Sequence, residues 1–276
     1  ATFHVLEAAE RARRTLDAGI TSVRDVGLTP RGFKMAAQKG LIAAPRMNIA
    51  VTILSQTGGH SDTLLPSGIY PPLRTALSNK NEWPVWTADG TEEVTKASRQ
   101  ILRAGADFIK ICTTGGVLSP EDEPTDTGFT REEIAAIVYE AQAKGKYVAA
   151  HAQGVQGIKN AIENGVRTIE HGIYVDEETA EDMVRRGTFL IPTFHAPRGV
   201  LEAEAAKPGS VLPQSLRKTR EVIEAHSANV KMAIEKGVKI AMGTDAGVGI
   251  HGTNAMELRY MVELGGMTPM QAIIAS

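Results

Sequence analysis

The sequence predicts a parallel β/α fold, and within that class a (β/α)8 TIM barrel, from three observations. Short β-rich runs alternate with amphipathic helical stretches along nearly all 276 residues, which implies a parallel sheet covered by helices. Seven strand-like runs are legible, and an eighth just upstream of residue 1 would close a barrel. No G-x-G-x-x-G follows the first of them, so the open doubly wound sheet is the second choice.

In chain order, residues 2–18 read as a helix with no strand before it. Strands follow at "TSVRDVG" (21–27), "RMNIAVTIL" (46–54), "DFIKIC" (107–112), "YVAAHA" (147–152), "RTIEH" (167–171), "TFLIPTF" (188–194) and "VKIAMGTDA" (238–246). Between them, "TEEVTKASRQILRAG" opens at Thr91 with acids in its first turn. "TREEIAAIVYEAQAKG" pairs Thr130 with Glu133 as a capping box and stops at Gly145. "VQGIKNAIENG" and "DEETAEDMVRRG" also stop at glycine. Residues 55–90 and 195–214 break the rhythm and read as long polar loops. Both follow strand ends, where barrels carry their chemistry. The chain is expected to be one barrel domain over 1–276, cut from a longer protein at both ends.

Composition excludes several classes. The formal net charge is −2, which gives no polyanion such as nucleic acid a reason to bind. No apolar run approaches the ~20 residues that span a bilayer, so no membrane partner is expected. Cys112 is the single cysteine, which rules out an internal disulfide or a thiolate zinc site and points to a reducing, cytoplasmic setting.

The predicted strand ends collect chemistry. His60 follows the second visible strand. Lys110 lies near the end of 107–112, His151 ends 147–152, and His171 closes 167–171. His195 follows 188–194, and Asp245 closes the last strand. In a barrel these positions converge on one axial pocket. His4 and His226 sit in helices and read as structural. Imidazole and carboxylate together suit zinc. Two divalent ions can share a hydroxide and polarise a carbonyl, and Asp245 is placed to move the proton. Lys110 is the anomaly, because an ammonium inside a buried strand is costly unless it is paired or modified. A carbamate formed with carbon dioxide would turn it into a bridging anion.

The pieces "AGITSVRDVG", "TGGHSD", "GADFIKICTTGGVLSP", "YVAAHAQG", "GVRTIEHGIYVD" and "KIAMGTDAG" cover nearly the whole chain. With them the sequence resembles the amidohydrolase superfamily, in the imidazolonepropionase-like branch of Xaa-Pro dipeptidases (prolidases) and Xaa-Arg/Lys carboxypeptidase-like metal-dependent hydrolases. The resemblance implies two divalent metal ions, zinc first, with Lys110 carboxylated as their bridge. It implies His151 and His171 as ligands of one metal, and Asp245 as ligand of the other and general acid/base. His60, and Tyr174 three residues past His171, would face the substrate carbonyl or oxyanion. His195 and Arg198 are candidates for substrate binding, Arg198 as counter-charge to a C-terminal carboxylate. The family's H-x-H pair at strand one and its small β-sandwich are not found in this sequence.

The expected activity is hydrolysis of an amide or peptide bond in a small substrate, a dipeptide of Xaa-Pro or Xaa-Arg/Lys type, by a metal-bridged hydroxide. A homo-oligomer is expected. The alternatives are an aryl-amide, phenylurea or ochratoxin-type amidase, a cyclic-amide hydrolase or deaminase, a Schiff-base enzyme using Lys110, and an incomplete barrel that only binds.

Overall fold

A computed structural model describes residues 2–62 and 84–276. Part of the 55–90 stretch singled out above, residues 63–83 with Trp83, therefore lies outside the described residues. Helix α1 (Thr2–Asp17) leads into strand β1 (Ser22–Asp25), α2 (Arg31–Gln38), β2 (Arg46–Ile49) and β3 (Ile53–Leu54). Strict alternation follows: α3 (Gly90–Arg103), β4 (Ile109–Cys112), α4 (Arg131–Gln142), β5 (Val148–Ala152), α5 (Val155–Glu163), β6 (Thr168–His171), α6 (Glu177–Arg186) and β7 (Phe189–Ile191). Two helices, α7 (His195–Ala206) and α8 (Pro213–Glu235), precede β8 (Lys239–Ile240), and α9 (Met256–Glu263) and α10 (Pro269–Ile274) complete the order.

Every strand pair is parallel. β1 pairs with β2, and β3 to β8 form a six-stranded sheet in sequential order. The expected strand 46–54 is one path with a kink. Val51 takes φ +67 and the Thr52 amide turns back to Ala50 O, which separates β2 from β3. The Asp107 amide still donates to Ile49 O at 2.7 Å, so β2 remains tied to the segment entering β4. The result is the wall of a TIM-type barrel. Among the described residues no strand pairs with the outer edges of β1 and β8, and no helix is long and apolar enough to cross a membrane.

Period-two alternation sorts the side chains. Ile109, Ile111, Val148, Ala150, Ala152, Ile169 and Leu190 face outward and pack with Ile101, Ile134, Ile137, Ile158 and Met183 of the helices in one buried cluster. The inward positions are chemically different. Phe108 and Ala149 form a small apolar floor with Ala50, while Lys110, His151 and Glu170 occupy buried polar positions. The Thr130–Glu133 capping box is present as expected. Helix α3 starts earlier than Thr91, with Asp89 as N-cap.

The stretch 195–214 is not a loop. Residues His195–Ala206 form α7, and only 207–212 connect it to α8. Pro197 and Gly199 disguise a helix whose start is stabilised from a distance. Glu257 of α9, fully buried, accepts the Phe194 and His195 amides at 2.9 and 2.8 Å. These are helix-start N–H groups with no partner inside the helix.

Burial pushes the Glu257 carboxyl from its ordinary 4.5 up to about 8, against the pull of those two amides and of Arg198. The folded protein therefore holds a proton there that the unfolded chain releases near pH 4.5. This contribution is full below pH 4.5 and is lost as pH rises towards 8, at about 1.4 kcal/mol for each pH unit between the two values. Urea unfolding measured across pH 4 to 9 is expected to show this decline, and Glu257→Gln is expected to flatten it.

Candidate active site

Lys110 is 3% exposed, between the outward-facing Ile109 and Ile111. Among the described residues its Nζ makes no hydrogen bond, and no carboxylate lies within ion-pairing distance. Burial draws the amine below its ordinary range, while the charges of Glu170, Cys112 and Asp245 oppose that effect. Burial makes the uncharged amine more accessible here than on an exposed lysine.

His151 and His171 sit at the ends of adjacent strands, with ring centroids 4.8 Å apart at 70°. Alternation alone would put His171 on the same face as Ile169. Its φ of +71 turns the ring to the lumen side instead. Hydrogen bonds fix both tautomers. His151 Nε2 lies 2.9 Å from the carbonyl of Gly115. A carbonyl only accepts, so Nε2 carries the proton and Nδ1 keeps a lone pair. Thr193 Oγ1 donates to Pro192 O and lies 2.6 Å from His171 Nδ1. That nitrogen is therefore the donor, and Nε2 keeps the lone pair. Burial holds both rings neutral, well below the ordinary histidine range, and nearby His60, His171 or Lys110 add to the effect.

His60 stacks on His151 at 4.1 Å and 16°. Its Nδ1 lies 2.7 Å from Ser119 Oγ and 3.5 Å from Asp122 Oδ2, and Ser119 in turn hydrogen-bonds Asp122 Oδ1. Burial alone would raise the Asp122 carboxyl, but hydrogen bonds from His60 and Ser119 hold it below the usual range. Gly116 allows this packing, because a Cβ there would fall 2.2 Å from His60 Cε1. A polar cavity of about 160 Å³ opens beside His60, Gly59, Gly115 and Asp122.

Asp245 is held at φ +51. Burial pushes its carboxyl up, Lys110 pulls it down, and Glu170 raises it further. Deeper in the lumen Arg24 reaches from β1 to β6, where it donates to both Glu170 oxygens at 2.9 Å and to Thr168 Oγ1. Tyr174 is half-buried and packs with Val117, Ile173 and Val222. His195 and Arg198 belong to a different group. His195 Nε2 meets Thr253 Oγ1 at 3.0 Å. Arg198 donates to Phe194 O and Ser227 Oγ and lies over the Tyr260 ring. None of these partners belongs to the His60–His151–His171 group.

The donor chemistry of the site fits a divalent ion in part. His151 and His171 each have one nitrogen pinned and the other unoccupied, the arrangement that orients metal-binding imidazoles. Among the described residues no three His, Cys, Asp or Glu side chains gather closely enough to hold an ion, so the pair stands as a partial donor set beside Lys110 and Asp245. Sequence reasoning missed Ser119, Asp122, Thr193 and Glu170. Gly115-Gly116 was the available signal for the first two, since paired glycines admit a close side-chain approach.

The sequence matches the amidohydrolase family over residues 7–276. The chain belongs to that family. Among amidohydrolase relatives, ochratoxinase from Aspergillus niger is 36% identical across all of this chain and 58% of its own length. Its crystal structure superposes with a TM-score of 0.86 at 34% identity, over 98% of this chain and 62% of that one. A Xaa-Pro dipeptidase with methionine bound in its active site gives 0.85 at 39% identity, over 98% and 66%. A prolidase complexed with N-methylphosphonate-L-proline gives 0.88 at 33%, over 98% and 65%. The chain thus spans about three-fifths of the length of these amidohydrolases.

Gly116→Ala is expected to push His60 off His151 while the fold persists. A crystal structure of the variant should show the ring displaced. An unmoved ring would show that the loop gives way instead.

Proposed function

We propose that this protein is a metal-dependent hydrolase that cleaves an amide bond in a small substrate, a dipeptide of Xaa-Pro or Xaa-Arg/Lys type. The observation that carries the reading is the convergence at one barrel mouth. Two neutral imidazoles with fixed tautomers sit beside a third, with the buried lysine of β4 and the partly exposed aspartate beyond β8 near enough to influence each other's charge.

His151 Nδ1 and His171 Nε2 would hold a divalent ion, zinc first, together with Lys110 and Asp245. When bound, such ions supply an activated water and a Lewis acid for the carbonyl. The chain's own residues do the rest. As the free amine, Lys110 would add through Nζ to carbon dioxide and release one proton, giving a carbamate anion. Asp245 accepts a proton on its carboxylate and delivers it to the departing amide nitrogen. His60, with its proton on Nδ1, presents Nε2 as an acceptor for a substrate N–H, and Tyr174 offers a hydroxyl to the charge developing on the carbonyl oxygen.

The Xaa-Pro dipeptidase and prolidase relatives support the dipeptide reading. A second reading, hydrolysis of an amide on an aromatic acid, is supported by the 36% identity to ochratoxinase across the full chain. Turnover of a dipeptide panel alongside N-aroyl amino acids separates the two.

Lys110→Ala is expected to lose at least ~99% of turnover, given what such groups contribute to catalysis. Elemental analysis in bicarbonate buffer should show at least one metal lost per chain, with circular dichroism unchanged. Wild-type turnover and metal content in that variant would overturn the reading.

A further inference from the structure

We infer that Lys218 is a positioning residue for His60, acting through Ser119 and Asp122 of the loop between β4 and α4. The inference rests on the reading of His60 as a group that meets the substrate. Lys218 lies on α8, outside the cluster at the barrel mouth, and no part of the mechanism above uses it.

Its side chain is fully buried. Nζ donates to three main-chain carbonyls, Gly116 O at 2.7 Å, Ser119 O at 2.5 Å and Asp122 O at 2.6 Å. An ammonium has three protons, and here all three go to one seven-residue stretch. Asp122 Oδ1 lies 3.6 Å from the same nitrogen, so the buried cation has a buried anion beside it. Among the described residues no main-chain hydrogen bond joins residues 116–122 to one another. The segment has no internal ladder, and Lys218 is the point around which it closes.

That closure is what aims His60. The Asp122 carboxylate accepts from the Ser119 hydroxyl, so the Ser119 oxygen accepts from His60 Nδ1 at 2.7 Å. The proton sits on Nδ1, and Nε2 is the ring nitrogen left to face a ligand. The ring is held flat between Gly116 and His151. Gly116, Ser119 and Asp122 are the same three residues whose carbonyls Lys218 gathers. Removing the ammonium releases all three supports of the ring together, and a misplaced substrate-contacting group costs turnover.

The test uses Lys218→Met, of similar length without donors, and Ser119→Ala at a partly exposed position as the variant that folds regardless. With the best dipeptide of the panel, each is expected to lower kcat about tenfold to a hundredfold. KM should stay within about threefold and metal content should match the parent. In a His60→Asn background neither variant should lower kcat further, since groups acting as a unit are not additive. Nitrogen-15 NMR of the His60 ring should report Nδ1–H in the parent and mixed tautomers in both variants. The inference is overturned if His60→Asn lowers kcat while Lys218→Met and Ser119→Ala do not, or if their losses multiply with that of His60→Asn. If His60→Asn leaves kcat unchanged, the reading of His60 has failed, and the NMR signal alone decides the clamp. Loss of the Nδ1–H signal in Lys218→Met sustains it, and an unchanged signal sinks it.

Discussion

Lys110 and His151 reach the shared pocket from within β4 and β5, but around them the backbone leaves strand geometry at the carboxyl ends of its strands. Leu28 follows β1, Val51 kinks the second strand, and His171 ends β6. Thr193 and Asp245 follow β7 and β8. All five are non-glycine residues with φ between +51 and +71, a region that costs ~1–3 kcal/mol for each such residue. Each lies at or beyond the carboxyl end of a strand run. The cost is borne because the surroundings over-determine the geometry. Gly172 donates to Ala152 O just after His171, and Val248 donates to Asp245 O just after Asp245. The bend at His171 is what brings its ring against His151, and the bend at Thr193 sets the hydroxyl that fixes the His171 tautomer.

Beneath that mouth the lumen is built from paired charge. The Arg24–Glu170 pair crosses between strands that are not neighbours, and the guanidinium also lies 5.4 Å from the Phe108 ring centroid. Nη2 donates to both carboxylate oxygens and Nη1 to Thr168 Oγ1, so the buried pair is matched by hydrogen bonds. Lys110 and Asp245 have no such direct pairing among the described residues. The barrel interior therefore separates a satisfied structural ion pair from an unsatisfied set at its mouth. Unpaired buried ionisable groups are expensive to keep, which is why their clustering marks chemistry. A second buried polar group, around Glu257, His195 and Arg198, belongs to the start of α7. It satisfies main-chain amides and stacks on Tyr260, and its chemistry is that of a helix cap.

The loop after β4 shows how far apart the determinants of one side chain lie. His60 comes from the segment after β3, its hydrogen-bond partners from 119–122, and the cation that gathers that loop from α8. None of these segments has regular structure in common with another. Their relation exists only because the barrel places consecutive strand ends side by side.

By itself the sequence determined the architecture. Periodicity exposed seven strand paths and their helices, and the Thr130–Glu133 and Gly145 signals marked element ends, because these effects act within a few residues. His60, His151 and His171 were legible as a converging set for the same reason, since strand ends in a parallel barrel meet. The tertiary structure decided the rest. Helix α7 was hidden because its N-terminal amides are satisfied by Glu257, some sixty residues away. His195 and Arg198, placed by sequence near the substrate, join that capping group. Which imidazole nitrogen is free depended on Gly115, Thr193 and Ser119, and the shape of 116–122 on Lys218. Such contacts form between positions with no fixed spacing along the chain, so no local pattern records them.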